Sequence, residues 1–285
     1  MKDVRVACGQ ITWGRGVGEE QVLGEIAQAG YEGAPAGYGP GRTSAETLDL
    51  FGRFRLMPAP GYLGVAFWER DGRERILERA AGVARFSREV GLADLYVAPN
   101  LTPERRAIAG HVGPRDATPL GEVRKLADLL NEIGDVTLKE GVRACFHNHV
   151  GSAIETREEI DALFSLVDPS VVFQGPDLGH LAWAGADVVQ FCRDYADRIR
   201  SLHVKDIDAR VRAEGVARSW DYQTFSEHGV FAELGEGMID FPAVFEALGR
   251  VGFQGWVVVE TDVTRKASAL QSATISRRYL RSIGV

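Results

Sequence analysis

The sequence predicts an α/β fold, a closed (β/α)8 barrel in a single domain spanning residues 1–285, and three observations carry that expectation. Short apolar runs alternate with longer segments of helical periodicity along the whole chain, a pattern that demands parallel strands and right-handed crossovers. The count is eight of each, and about 250 residues suffice for such a barrel. Four successive runs in the second half each end in a group able to bind a metal or move a proton, and barrel active sites sit at the C-terminal ends of the strands. An open doubly wound sheet is the structural rival, but no G-x-G-x-x-G follows a first strand.

Taken in order, residues 4–13 are rich in apolar and β-branched side chains and read as the first strand. Glu19–Ala29 carries a helical stripe of Val22, Leu23, Ile26 and Ala27, closed by Gly30. A second strand is expected at 31–36, weakened by Pro35. Residues 44–54 fit an amphipathic helix with Ser44 as N-cap and Leu48, Phe51 and Phe54 turned inward. The third strand lies within 55–67, where breakers blur its limits, and is followed by a helix at 73–90 and a fourth strand at 95–98. Residues 99–118 lack periodicity and read as an active-site loop before a long helix at Leu120–Lys139. Strands at 142–146, 171–173, 199–202 and Trp256–Val259 then alternate with helices at 156–166, 186–198, 241–251 and 267–283, with a second long loop at 209–240.

Hydrophobic content of 45 % is ample for a buried core. A net charge of -7, from 33 basic and 40 acidic residues, argues against a general nucleic-acid binder, which needs clustered positive charge to displace counterions. No stretch has the length and purity of a membrane span, and Met1-Lys2-Asp3-Val4-Arg5 lacks the apolar region of a secretion signal, so a cytoplasmic protein is expected. Cys8, Cys145 and Cys192 are odd in number, far apart and set in apolar patterns, which suggests reduced core thiols.

Residues two apart on a strand share a face, so His147 and His149 point the same way, as do His203 and Lys205. A histidine there also reads as a hydrogen-bonded wall residue, but two at one strand end favour the site. Asp177 and His180 fall within four residues after a Gly-Pro break. With the next helix expected only near Ala186, capping is not the sole role expected of Asp177. Glu260 ends an apolar strand, where an unpaired carboxylate is costly to bury and a cation offsets the cost. Such a mixed oxygen and nitrogen set suits Mn²⁺, Co²⁺, Fe²⁺ or Zn²⁺ better than Ca²⁺. Trp13, Trp68, Trp183 and Trp220 fall near strand ends or loops, where aromatic walls can cover a sugar face or pack the core.

At these residues the chain resembles the xylose isomerase-like TIM-barrel superfamily of sugar phosphate isomerases and epimerases, and within it the inosose dehydratase family. The motifs are Phe146-His147-Asn148-His149 with Glu155 following, Asp177-Leu178-Gly179-His180, His203-Val204-Lys205-Asp206, Gly235-Glu236-Gly237 before Asp240, and Gly255 to Glu260. The resemblance implies a divalent metal, manganese first, with cobalt, iron, zinc or magnesium as alternatives, held by Asp177, His203, Glu260 and a carboxylate assigned here to Glu155. It implies proton transfer by His147, His149 and Lys205, and substrate contact by His180, with Trp13 and Trp183 as candidate walls. The usual strand-end Glu of the superfamily is absent, and His147 lies near its place. The second strand, from Gly33 to Gly37, also lacks the family's Glu, and the last strand ends Glu260-Thr261-Asp262 in place of a longer acidic run.

The implied activity is dehydration, isomerisation or epimerisation of a keto-sugar or keto-cyclitol through an enediolate. Related barrels that cleave 3-keto-C-glycosides with a small β-rich partner subunit share that first step. The implied partners are a small-molecule substrate, a second copy in a homo-oligomer or such a subunit, with neither nucleic acid nor membrane. A phosphodiester hydrolase of the endonuclease IV kind needs a multi-metal cluster and a basic face, which the acidic balance disfavours. A non-catalytic binding barrel is the third reading.

Overall fold

The computed structural model describes residues 4–39, 41–67 and 72–285, so Trp68 and the N-terminal Met1, Lys2 and Asp3 lie outside it. Strands β1 (Arg5–Cys8), β2 (Gly33–Pro35), β3 (Met57–Ala59), β4 (Tyr62–Val65), β5 (Asp94–Pro99), β6 (Arg143–Phe146), β7 (Val172–Gln174) and β8 (Leu202–Val204) are followed by the short pair β9 (Asp206–Ile207) and β10 (Phe231–Ala232), and then by β11 (Trp256–Val259). Two parallel sheets result, ordered β3-β2-β1-β11-β8 and β4-β5-β6-β7. Parallel bridges Gln174↔Ile199 and Asp177↔His203 join β7 to β8. On the other side β3 and β4 are halves of one strand, parted at Pro60-Gly61, where proline removes a ladder donor. The first half pairs with β2 and the second with β5, so the ring is an eight-stranded barrel.

Alternation along the strands sorts the core. Ala7, Ala59, Tyr96, Cys145, Trp256 and Val258, with Phe173, fill the barrel interior. Intervening residues such as Val6, Val97, Phe146, Leu202 and Val257 pack with the helices. These are α1 (Glu19–Ala29), α2 (Ser44–Arg53), α3 (Arg73–Glu89), α4 (Pro103–Ala107), α5 (Leu120–Lys139), α6 (Arg157–Phe164), α7 (Leu178–Trp183), α8 (Val188–Asp194), α9 (Ala209–Ala217), α10 (Tyr222–His228), α11 (Phe241–Arg250) and α12 (Ala269–Ser282). All three cysteines are free and buried. Among the described residues no helix is long and apolar enough to cross a membrane.

Several expectations are corrected. The N-cap of α2 is Thr43, not Ser44, because Thr43 and Glu46 form a reciprocal capping box. That choice rotates the buried face to Thr47, Leu50 and Phe51, which leaves Leu48 exposed and Phe54 half-buried. The two expected long loops hold structure of their own: α4 in the first, and α9, α10 and β10 in the second, where β10 pairs with β9. A helix, α7, begins directly after Asp177 and not near Ala186, and Asp177 is its N-cap.

A buried ion pair fixes the loop between β5 and α5. Arg105, on α4, meets Glu159 of α6 through two hydrogen bonds of 2.9 and 2.8 Å. The same carboxylate accepts the backbone N–H groups of Thr118, Glu155 and Thr156. Glu155 beside it accepts from Gly110 N and Gly151 N, each at 2.7 Å. Burial pushes the Glu155 carboxyl up to about 7, against the pull of those two donors.

Two outcomes follow from these contacts. Arg105→Ala strands Glu159 as a buried, half-satisfied charge, and a stability loss of about 3–5 kcal/mol in urea unfolding is expected, whereas a loss under 1 kcal/mol counts against the tie. A carboxyl whose folded pKa is raised from 4.5 to about 7 contributes stability that is fully present below the unfolded value and lost as pH rises through the folded one. The stability of the parent relative to Glu155→Gln therefore falls by about 3 kcal/mol between pH 4.5 and pH 8. A pH-independent difference contradicts the assignment.

Candidate active site

Four neighbouring strands deliver the cluster. His147 follows β6, Asp177 follows β7, His203 lies within β8 with Lys205 two residues on, and Glu260 follows β11. Each stands in step with the interior residues of its strand, so all turn into the C-terminal mouth. Ligand atoms of His147, Asp177 and His203 lie within 4.8 Å of one another. His147 Nε2 is 3.9 Å from Asp177 Oδ2, and His203 Nδ1 is 3.2 Å from Glu260 Oε2. His147 Nδ1 is 2.9 Å from Gly175 O, and a carbonyl only accepts, so Nδ1 carries the hydrogen and the Nε2 lone pair faces the cluster.

The oxygens of Asp177 divide their work. Oδ1 accepts His180 N at 3.0 Å as the cap of α7, while Oδ2 is buried and accepts no hydrogen bond. Its nearest charge is Lys205 Nζ at 3.2 Å. That ammonium also lies 3.5 Å from Glu260 and 2.5 Å from Asp262, with His180 Nε2 at 3.3 Å. Burial pushes the lysine pKa down, but the three carboxylates together hold it well above its ordinary value, so Lys205 is an ammonium. Three carboxylates thus face one buried cation, so acidic groups outnumber it, and burial pushes the Glu260 carboxyl above its ordinary value against the pull of Lys205.

Nothing similar keeps the histidines charged. Burial drives His147 and His180 well below the ordinary range and His203 down to about 3. Burial also lowers His149, with Lys205 adding to the effect. All four imidazoles are therefore neutral at pH 7 and able to accept a proton or a metal. His149 Nδ1 bonds to Val150 O at 2.7 Å, which leaves its Nε2 as the basic nitrogen. His149, His180 and Asp262 form a second group of ligand atoms within 4.8 Å, and the two imidazole rings lie 3.6 Å apart.

Two close approaches need glycine. A Cβ on Gly9 would overlap the Glu260 side chain, and one on Gly179 would lie 2.6 Å from Lys205 Cβ. Room for both charged groups is therefore written into the backbone beside them.

Some expected residues are not brought to the cluster. Glu155 has both oxygens engaged by backbone N–H groups and does not reach the metal-competent atoms; His147 stands in its place. Trp13 donates to Glu25 at 2.7 Å, away from the cavity wall. Trp183 is fully buried and stacks on His180, so it backs the site without facing it. His180 is itself buried and adjoins the cavity through Lys205 and His149, which line it.

Two residues escaped the sequence reading. Tyr62 places its hydroxyl 2.9 Å from His203 Nδ1 and 3.3 Å from His147 Nε2. Nothing in the broken third strand distinguishes it from an ordinary strand tyrosine. Asp262 lies two residues beyond Glu260, and period-2 alternation applied past the strand end would have found it. The cavity above these groups has a volume of about 670 Å³.

Comparison with known proteins agrees with this architecture. The chain is 28% identical over 253 residues to an inosose dehydratase of Geobacillus kaustophilus (strain HTA426), covering 86% of this chain and 80% of that one. It is 27% identical to an inosose dehydratase of Lactiplantibacillus plantarum (strain ATCC BAA-793 / NCIMB 8826 / WCFS1), covering 98% and 96%. The crystal structure of the IolI protein with a binding zinc atom superposes with a TM-score of 0.74 at 16% identity, covering 98% of each chain. The model of the family described as xylose isomerase-like TIM barrel matches residues 43–283, and the chain belongs to that family.

Proposed function

We propose that the chain is a divalent-metal-dependent lyase that dehydrates a keto-sugar or keto-cyclitol through an enediolate, in the manner of an inosose dehydratase, and that all 285 residues form one catalytic domain. The carrying observation is the metal-competent group of His147, Asp177 and His203, with Glu260 3.2 Å from His203 as the fourth proposed donor, beside proton-transfer groups of opposite protonation. Similarity to two inosose dehydratases along most of the chain supports the reaction class. The zinc of the IolI structure supports the metal.

The donor set fits a divalent ion on its own chemistry. It combines two neutral imidazoles with carboxylates, one of which has a buried oxygen that accepts no hydrogen bond. Manganese is proposed first, with cobalt, iron, zinc or magnesium as alternatives. When bound, such an ion supplies Lewis-acid polarisation of a substrate carbonyl.

The chain's own residues do the rest. Neutral His149 removes the proton α to the carbonyl through Nε2, because Nδ1 is committed to Val150 O. Lys205, held as an ammonium, donates to the departing hydroxyl. Tyr62 donates its hydroxyl toward the same oxygens, since burial raises its pKa well above the ordinary value and keeps it protonated. With the base neutral and the acid protonated, the proton from Lys205 lets the hydroxyl leave as water while His149 keeps the proton taken from carbon, which balances the dehydration. The substrate is the partner that this site addresses; association as a homo-oligomer or with a small β-rich subunit belongs to the same proposal and is read by sedimentation.

The test is enone formation from 2-keto-myo-inositol and 3-keto-glycosides, followed by ultraviolet absorbance. Metal-loaded parent turns over at least one of them, and His149→Ala lowers kcat by about 10²-fold or more with metal content unchanged. Absence of turnover by the loaded parent overturns the reaction, and full activity in His149→Ala removes that residue as the base.

A further inference from the structure

A second cavity, of about 670 Å³, opens at the other end of the barrel, where the strands begin. Its wall is built from the first residues of strands and the turns that lead into them. Arg5 opens β1, Asp94 opens β5, Arg143 opens β6 and Trp256 opens β11, while Arg200 stands two residues before β8. Followed around the ring from β1 through β11, β8, β7 and β6 to β5, the side chains at this end run Arg5, Trp256, Arg200, Phe173, Arg143, Asp94.

The three arginines are unequally committed. Arg143 is tied to Asp94 by hydrogen bonds of 2.6 and 2.9 Å. Arg5 lies over the Trp256 ring at 5.7 Å and Arg200 over the Phe173 ring at 5.0 Å, and neither has a carboxylate partner among the described residues. Stacking occupies the face of a guanidinium and leaves its N–H edge to donate. Arg200 uses only Nη1, toward the carbonyls of Asp197 and Ile199 at 2.8 and 3.1 Å, and the Arg5 side chain has no protein acceptor among the described residues.

Asp197, the other acid of the wall, is exposed and forms no ion pair among the described residues. Three arginines against two aspartates leave one positive charge in surplus at this cavity, in a chain whose net charge is -7. Closing a barrel floor needs only apolar or paired side chains. Two guanidinium groups seated on aromatic rings with their edges free are instead preorganised for an oxyanion.

We infer that this cavity is a second ligand site, for a small phosphate ester held by the N–H edges of Arg5 and Arg200. These two arginines come from strands on either side of β11, and a tetrahedral dianion offers oxygens to both, where a planar carboxylate matches one fork. The cavity volume leaves room for the organic part of the ester. The inference is independent of the reaction proposed for the opposite mouth.

Calorimetric titration of the metal-loaded parent with inorganic phosphate, at constant ionic strength and without free metal, tests it. One phosphate per chain is expected at this site with a Kd of about 1 mM or tighter. Arg5→Gln and Arg200→Gln are each expected to weaken that binding by about tenfold or more, with circular dichroism unchanged. Arg5 makes no hydrogen bond to lose, so its variant decides the matter if Arg200→Gln fails to fold. Acetate, the carboxylate control, is expected to bind at least about tenfold more weakly than phosphate. No phosphate uptake by the parent below ~20 mM, or uptake equal in the parent and Arg5→Gln, overturns the inference. A phosphate held by the metal at the opposite mouth survives both variants and is recognised by that. Acetate binding as tightly as phosphate overturns the choice of ligand.

Discussion

The buried ammonium of Lys205 is the constraint around which the rest of the site is arranged. A lysine with 1 % exposure survives only where opposite charge surrounds it, and Asp177, Glu260 and Asp262 supply that charge from the ends of two different strands. The same three acidic groups outnumber the one ammonium, a balance that favours a divalent cation beside them. Around this charged knot the histidines are kept neutral by burial, so acid and bases coexist within a few ångströms at one pH.

The barrel makes that arrangement possible by bringing distant segments into register. His203 bridges directly to Asp177, and Val258 in β11 lies opposite His203, so three of the donors occupy adjacent strand ends. Glycines at positions 9 and 179 remove the side chains that would exclude Glu260 and Lys205. On the loop side, the carboxylates of Glu155 and Glu159 are spent on backbone N–H groups and on Arg105, which orders the segment between β5 and α5 beside the mouth. Carboxylates thus serve two separate purposes here: both oxygens of each structural carboxylate are taken up by backbone N–H groups or Arg105, whereas Asp177, Glu260 and Asp262 face the lysine.

Much of this was legible beforehand, and the failures have physical causes. The alternation of apolar runs with helical stripes placed the barrel, and Leu120–Lys139 and Glu19–Ala29 have the expected limits because amphipathic periodicity is strong there. Position at the strand ends placed His147, Asp177, His203, Lys205 and Glu260 in one mouth, and period-2 spacing put His203 and Lys205 on one face. Glu155 was misplaced because sequence proximity to a strand end says nothing about which backbone donors a loop will present to a carboxylate. The helix after Asp177 was expected only near Ala186 because α7 is a six-residue helix too short to show periodicity. Tyr62 was invisible since its importance arises from contacts with residues 85 and 141 positions away.

The identity of the first metal donor is the point at which sequence and structure part most clearly, and it is open to direct measurement. Cobalt(II) titration of the metal-free protein, followed by its visible absorption bands, compares the parent with His147→Ala and Glu155→Gln. The account predicts a single strongly bound cobalt in the parent and in Glu155→Gln, with at least tenfold weaker binding and altered bands in His147→Ala. Loss of binding in Glu155→Gln with retention in His147→Ala, or no uptake by the folded parent, would contradict it.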